Sequence, residues 1–262
     1  MKNLAIVLST ILVTASTFAF DHTHAQFNQV LSKVVAPVNQ TTKVKYFELI
    51  KDQAALNEYI KSVEAVTKAE YQSWSEKQKL AFLFNSYNAL TIKLITDEIQ
   101  KNQDLKSIKK IGGLFSNPWK IKFFKFLEKE SYLDEIEQEI ARKNFDEPRM
   151  HFAFNCASIG CPSLQKTAFV ADNLDAQLDQ AAKAFLSDNS RNTFDKKSAT
   201  LELSSILKWY KDDFEKSKKL GPMKNFLSIY FPFTPEEKKI FESGKVDIKY
   251  LDYDWNLNKI GS

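Results

Sequence analysis

The sequence predicts an α+β fold built on a buried central helix and an antiparallel or mixed sheet. Apolar residues recur on two adjoining sides of residues 78–99, which is the pattern of a helix surrounded by core. Short alternating segments around 120–133 and 193–203 predict two β-hairpins. No repeat, low-complexity tract or linker divides the sequence, so a single domain over residues 20–262 is the simplest interpretation.

The composition favours a packed core and gives no support for nucleic-acid binding. Of the 262 residues, 44% are apolar and 21 are phenylalanine, which is ample for a core. The formal charge is +4, and removal of Lys2 with a leader leaves about +3, from 36 basic and 33 acidic residues. No basic cluster with interleaved aromatic residues accompanies this small balance, so nucleic acid is not an expected partner.

Residues 1–19 have the pattern of a signal peptide. Lys2 supplies the positive start, Leu4 to Val13 the apolar core, and Thr17-Phe18-Ala19 a small-residue cleavage site. The apolar run is too short to span a bilayer, and we expect no transmembrane segment in the mature chain. The expected location is periplasmic or secreted, which would put both cysteines in an oxidising compartment.

Helical spacing of apolar residues predicts shorter helices along the rest of the chain. Leu56, Tyr59 and Val63 mark one of them, and Asp134 and either Ser204 or Ser205 are the expected caps of two others. The predicted helices are 27–34, 52–67, 134–140, 173–186, 205–214, 222–230 and 235–242. The predicted strands are 43–49, 120–126, 132–133, 193–195, 200–203 and 246–258.

Residues 149–162 hold both cysteines and one of only three histidines. Met150, Phe152, Phe154 and Cys156 alternate with more polar residues, which predicts a strand with one apolar face. Gly160 and Pro162 then favour a turn, so Cys156 is expected where a buried strand enters a tight turn. Exposed backbone N–H groups at such a turn can stabilise a thiolate or an oxyanion.

Several pieces of the sequence, taken in order, resemble the bacterial domain-of-unknown-function 547 (DUF547) family. These pieces are Phe20 to His24, Leu80 to Phe82, Asn85 to Ala89, Pro118-Trp119, Leu133 to Glu137, Pro148 to Pro162 and Tyr253 to Asn258. The resemblance covers essentially the whole mature chain. It implies a layout similar to papain-like and transglutaminase-like thiol enzymes, with Cys156 as the nucleophile. Where the family pattern has a histidine after the Ile-Glu pair, this chain has Gln138, which cannot accept a proton from a thiol.

A thiol enzyme needs a base within reach of the cysteine and a group that orients the base. His151 is the candidate base, although the predicted strand puts it on the face opposite Cys156, and Asn155 shares its face and could orient the ring. Asn85 and Asn88 lie on the buried central helix and therefore need partners. They either brace the backbone of a loop or orient a catalytic group.

The function therefore has open alternatives. One is a cysteine-dependent hydrolase or acyltransferase acting on an amide or acyl bond of an envelope or extracellular substrate. A second is a binding protein that kept the cleft and lost the base, as Gln138 suggests. A third is a Cys156–Cys161 disulfide, either structural or a redox switch. His22 and His24 are a weak metal-site candidate beside the alternative of packed histidines, and no cofactor is expected.

Overall fold

The computed structural model describes residues 19–113 and 116–261. The helices are α1 Ala25–Val34, α2 Tyr46–Lys51, α3 Ala54–Ala65, α4 Lys68–Ser73, α5 Glu76–Lys101, α6 Arg142–Asn144, α7 Leu174–Leu186, α8 Ser205–Trp209, α9 Lys211–Lys216, α10 Met223–Tyr230 and α11 Pro235–Glu242. The strands are β1 Val35–Val38, β2 Thr41–Val44, β3 Phe124–Phe126, β4 Lys129–Ser131, β5 Thr193–Asp195, β6 Thr200–Ser204 and β7 Asp247–Leu251. A π-helix, Glu135–Ala141, runs directly into α6. The mixture of helix and small sheets confirms the predicted α+β class.

Helix α5 is the centre of the larger apolar core. Its start is fixed by a capping box in which Ser75 and Gln78 each bind the other's backbone N–H through their side chains. Of its 26 residues, 17 are buried, and it packs against α2, α3 and the π-helix. The predicted buried central helix is confirmed, and it begins two residues before and ends two residues after the predicted range 78–99.

The strands of the described residues form three small sheets. β1 with β2 and β3 with β4 are antiparallel hairpins, with the pairs Val35–Val44 and Phe124–Ser131 opposite each other at their open ends. β6 is the middle strand of the third sheet, antiparallel to β5 and parallel to β7. The predicted mixed pairing is confirmed, but it occurs in a three-stranded sheet and two hairpins, not in one common sheet.

A second apolar cluster fills the space between α7, α10 and the third sheet. Phe152 lies in this cluster, and Met150 and Phe154 lie in the first. Residues 150–154 therefore run between the two cores and are buried on all sides. This position explains why the apolar residues of this stretch alternate without belonging to a strand.

The prediction of a strand over residues 150–156 is wrong. Residues Pro148–Phe152 form a 3₁₀ helix, and Pro148 occupies its first position. The side chain of Glu147 caps this helix by accepting a hydrogen bond from the backbone N–H of Arg149. Pro at this position has its φ angle already fixed for a helix, and its missing N–H costs no intrahelical bond. Cys156 consequently follows a helical turn and an irregular segment.

Other departures are local. The predicted strand 43–49 ends at Val44, since Tyr46 and Leu49 are buried as a helical pair in α2. The predicted helix 205–214 breaks at Tyr210 into α8 and α9, and Ser204 caps α8 as expected. In the tail, strand pairing stops at Leu251, so the predicted strand 246–258 is shorter than expected.

The leader falls outside the described residues except for Ala19. The part of the chain that the structure describes has no helix long and apolar enough to cross a membrane.

Candidate functional site

A cavity of about 190 Å³ lies where the π-helix, α8, residues 151–162 and the tail after β7 meet. Most of its large lining side chains are aromatic: Tyr87, Trp119, Phe154, Trp209, Tyr210, Tyr253 and Trp255. Its other functional side chains are those of Asp134, Glu137, Gln138, His151, Cys156 and Cys161. The cavity thus joins ionisable groups and sulfur to an aromatic wall.

Cys156 and Cys161 are joined by a disulfide that forms part of the cavity wall. The two Cα atoms are 6.1 Å apart. Cys156 is partly exposed, whereas Cys161 is buried. The intervening loop is held by the tail, because the N–H groups of Ile159 and Gly160 donate to backbone oxygens of Asn256 and Asp254 at 2.7 and 2.9 Å. The sequence left open whether these cysteines are bonded, and here they are.

Tyr253 covers the disulfide. Its hydroxyl lies 3.1 Å from Sγ of Cys156 and 3.2 Å from Sγ of Cys161. Its ring packs so closely on Gly160 that a Cβ atom there would lie 2.8 Å from the ring. Burial raises the pKa of Tyr253, so the hydroxyl keeps its proton at neutral pH and can donate to sulfur.

His151 is fully buried and held on one side only. Its Nε2 atom lies 2.7 Å from Oδ2 of Asp213, its ring stacks on Tyr210 with 3.8 Å between centroids, and Nδ1 has no hydrogen-bond partner. Burial lowers the pKa of His151, although Asp213 offsets part of this effect. Burial also raises the pKa of Asp213, but hydrogen bonds from His151 and Arg142 outweigh this and hold it well below its usual range. An ionised Asp213 accepts a hydrogen bond from the Nε2–H group, so that the proton stays on Nε2 and Nδ1 carries a lone pair.

Two carboxyl groups lie in the same cavity. Tyr210 and Gln138 both donate to Oε1 of Glu137, at 2.7 and 3.1 Å. Burial raises the pKa of Glu137, and the neighbouring Asp134 adds to this rise. Burial also raises the pKa of Asp134. The side-chain oxygen of Gln138 accepts a hydrogen bond from Arg142, so Gln138 links the acid to the Arg142–Asp213 ion pair.

Residues 71–186 match a family model described as "Protein of unknown function, DUF547". This segment is a DUF547 region. The resemblance is thereby confirmed for these residues, and its pieces at 20–24 and 253–258 lie outside the match. No curated protein and no solved structure matches the chain, so the papain-like layout stays an implication of the resemblance.

The DUF547 region brings three of the predicted site residues to one cavity. Cys156, His151 and Gln138 all line it, although the irregular backbone after Phe152 replaces the expected strand. Asn85 and Asn88 of α5 do not line this cavity. The Asn85 amide binds the N–H and C=O of Phe169, at 3.0 and 2.7 Å.

Asn88 and Asn155 hold the backbone that leads to the disulfide. The Asn88 amide accepts the N–H of Asn155 and donates to the C=O of Ala153, at 2.8 and 2.9 Å. The Asn155 side chain donates to the C=O of Pro162 at 2.7 Å and accepts the N–H of Ala157 at 3.0 Å. Asn155 therefore braces the disulfide loop and does not orient His151, whose partner is Asp213.

The two histidines near the start of the described chain are packed among aromatic rings. Nδ1 of His24 lies 2.7 Å from the hydroxyl of Tyr59, and the His22 ring meets Trp74 edge to face at 4.4 Å. Among residues 19–113 and 116–261, no group of three or more His, Cys, Asp and Glu side chains is placed to hold a metal ion. This arrangement matches the packed alternative and gives the metal-site hypothesis no support.

Sequence reasoning missed Asp213, Tyr210 and Glu137 as site residues. Glu137 directly precedes Gln138, the residue at which this chain departs from the family pattern. That neighbourhood is the one feature of the sequence that could have indicated Glu137 as a site residue. Asp213 and Tyr210 lie outside the DUF547 region in a segment predicted only as an amphipathic helix. The helical pattern of that segment does not predict that Asp213 contacts His151, which lies 62 residues earlier in the chain.

Proposed function

We propose that this protein is a thiol-dependent hydrolase or acyltransferase that is latent while the Cys156–Cys161 disulfide is closed. The observation that carries the proposal is that Cys156 lines one cavity with His151, an imidazole bound to Asp213 through Nε2 and unpartnered at Nδ1. A nucleophile, a neutral base and a group that orients the base are the elements of thiol catalysis.

Reduction starts the reaction. A dithiol reductant supplies two electrons and two protons, leaves as a disulfide, and frees both thiols. The Cys156 thiol gives its proton to Nδ1 of His151, and its sulfur bonds to the acyl carbon of the substrate. The bond to the amine or alcohol then breaks as that leaving group takes the proton from Nδ1. Water or an acceptor nucleophile cleaves the thioester, and its proton returns through Nδ1 to the sulfur.

Asp213 is a positioning residue in this scheme. Its carboxylate fixes the proton of His151 on Nε2 and so keeps the basic lone pair on Nδ1. It also offsets the positive charge that the imidazole gains in the reaction. This arrangement supplies a base although Gln138 stands where the family pattern has a histidine.

The proposed compartment rests on the predicted leader. If residues 1–19 direct export, the disulfide persists until a specific reductant reaches it, and the substrate is an amide or acyl compound of the envelope or the exterior. The closed disulfide also favours a second candidate function, a binding protein with an inactive cleft, since no thiolate is present while the bond is intact.

The reactivity of Cys156 as a free thiol distinguishes the thiol enzyme from the binding protein. Cys161→Ser leaves Cys156 free without a reductant, and we expect iodoacetamide to label it faster in the folded protein than in urea, because Nδ1 of His151 removes its proton. In the His151→Gln background the rate should fall by about tenfold or more. The measurement is mass spectrometry of the alkylated protein over time, with Cys161→Ser combined with Cys156→Ser as the unlabelled control.

Turnover is tested with the same Cys161→Ser protein on a panel of activated amides, esters and thioesters. We expect acyl transfer to Cys156 and its loss in Cys161→Ser combined with Cys156→Ser. Labelling that is no faster folded than unfolded, together with no acyl-enzyme on the panel, would reject the thiol enzyme and leave the binding protein.

A further inference from the structure

We propose that the cavity beside Cys156 binds an alkylammonium group of the substrate, such as a trimethylammonium head. The inference deepens the proposed function, since it names the substrate class of the same site. It stands on the charge of the cavity lining, on the arrangement of its aromatic rings and on its size.

The lining is acidic in a chain that is otherwise slightly basic. Asp134 and Glu137 contribute carboxyl groups, and the described lining contains no lysine or arginine, whereas the whole chain has 37 basic and 33 acidic residues. The two carboxyl groups repel each other, and the nearest cations that moderate them, Arg142 and Lys120, lie outside the lining. A cation in the cavity would meet attraction from both acids, and an anion would meet repulsion.

The aromatic rings form a wall suited to a cation. Tyr253 contacts Trp209 and Trp255, with centroids 4.8 and 4.4 Å apart, and Trp209 stacks on Trp255 at 5.7 Å and 24°. Trp119 meets Trp255 edge to face at 5.9 Å. Trp209 remains 48% exposed despite these contacts. Ring faces carry negative potential, and cages of such rings recognise quaternary ammonium ions.

One ring of this wall already contacts a cation of the chain, although the cation itself does not line the cavity. Nζ of Lys109 lies 3.5 Å from the centroid of Trp255. Trp255 therefore already holds one cation, and the proposed ligand would use the other aromatic rings that line the cavity.

The cavity has the right size for a compact head group. Its volume is about 190 Å³. A protein cavity of about 150 Å³ holds benzene, so a trimethylammonium group fits with room for a short linker to the reacting carbon. The lining places Cys156 on the same cavity, so an acyl group joined to the ammonium by such a linker would reach the sulfur.

The test uses the oxidised wild-type protein, in which the thiol chemistry is absent. Choline and its neutral isostere 3,3-dimethylbutan-1-ol are titrated while tryptophan fluorescence is followed. We expect choline to bind at least about tenfold more tightly, because the two ligands differ in charge and hardly in shape.

Glu137→Gln and Trp209→Leu should each weaken choline binding roughly fivefold or more. The matched controls Glu139→Gln, on the same helix, and Ile229→Ala, an exposed apolar residue elsewhere, should leave it unchanged.

A protection experiment ties binding to the cavity. Choline should slow the iodoacetamide labelling of Cys156 in Cys161→Ser, and dimethylbutanol should not. Equal affinity for the two ligands, no saturation by choline, or choline binding without protection would each overturn the proposal. Choline binding in the oxidised protein together with an unreactive thiol would instead reject the enzyme and retain the ammonium site.

Discussion

Gly160 shows how one residue sets the geometry around the sulfur atoms. Its backbone N–H is bound by Asp254, and its missing side chain makes room for the ring of Tyr253. The hydroxyl of that ring then reaches both sulfur atoms. The absence of a Cβ at this position is thus what allows a phenol to cover the disulfide.

We expect Gly160→Ala to lower the free energy of unfolding by about 1–3 kcal/mol, since the new Cβ would lie 2.8 Å from the Tyr253 ring. Urea unfolding of the oxidised protein measures this loss. In a Tyr253→Ala background the same substitution should cost almost nothing, because the ring is gone. An equal cost in both backgrounds would show that Gly160 is required for another reason.

At the scale of single residues, the sequence indicated candidate residues better than it indicated the residues that contact them. Cys156 and His151 were singled out because few residues of their type exist and both fall in the family-like stretch. Their surroundings were not found, because Asp213 and Tyr253 approach from 62 and 97 residues away and local spacing carries no record of such contacts.

Helix α5 works as the brace of two loops. Its amides Asn85 and Asn88 stand one turn apart and each binds both the N–H and the C=O of other segments. A buried amide with two backbone partners is costly to lose, since each backbone group is then left without a partner. Asn88 supports the chain just before Cys156, and Asn85 supports Phe169.

Asn88→Leu and Asn85→Leu form a matched pair. Each should lower the free energy of unfolding by about 2–5 kcal/mol, because two buried backbone groups lose their partners. Only Asn88→Leu should also change the iodoacetamide labelling rate of Cys156 when combined with Cys161→Ser. If Asn85→Leu changed that rate equally, the effect would be a general loosening of the core and not the loss of one brace.

Elements with strong local signals were predicted well. The cap of α8 and the hairpin of β5 and β6 depend on neighbours in sequence, and both are present. The 3₁₀ helix at Pro148–Phe152 was missed because its residues are buried on every side by two cores. Over so few residues, alternation of apolar side chains cannot distinguish a strand from another buried segment.

The molecule as a whole should lose stability in acid, and buried histidine is the first cause. Burial lowers the pKa of His24 to about 3, and burial lowers that of His151 as well. A histidine whose pKa falls on folding stabilises the protein fully above its unfolded value of about 6.5. That contribution is lost as the pH falls from about 6.5 toward the folded value. The low pKa of Asp213 adds a loss of the same sign below about pH 4.

The free energy of unfolding should therefore fall between pH 7 and pH 4, with His24 contributing on the order of 3 kcal/mol at pH 4. Urea unfolding at several pH values measures the fall in the wild type and in His24→Gln. The variant should start less stable at pH 7 and lose less stability on acidification. Parallel curves for the two proteins would contradict the assignment to His24.

Among the residues that the structure describes, the tail that covers the disulfide is held by segments that precede it in the chain. Asn256 and Asp254 hold the loop at 159–160, Leu257 donates to Lys106, and Ile260 donates to Val44. During synthesis every one of these partners leaves the ribosome before the tail does. For that interval Cys156 and Cys161 lie in a loop whose N–H groups are unbound and over which no Tyr253 ring has closed. The two thiols are therefore most accessible to other molecules while the chain is still being made, and docking of the tail ends that access.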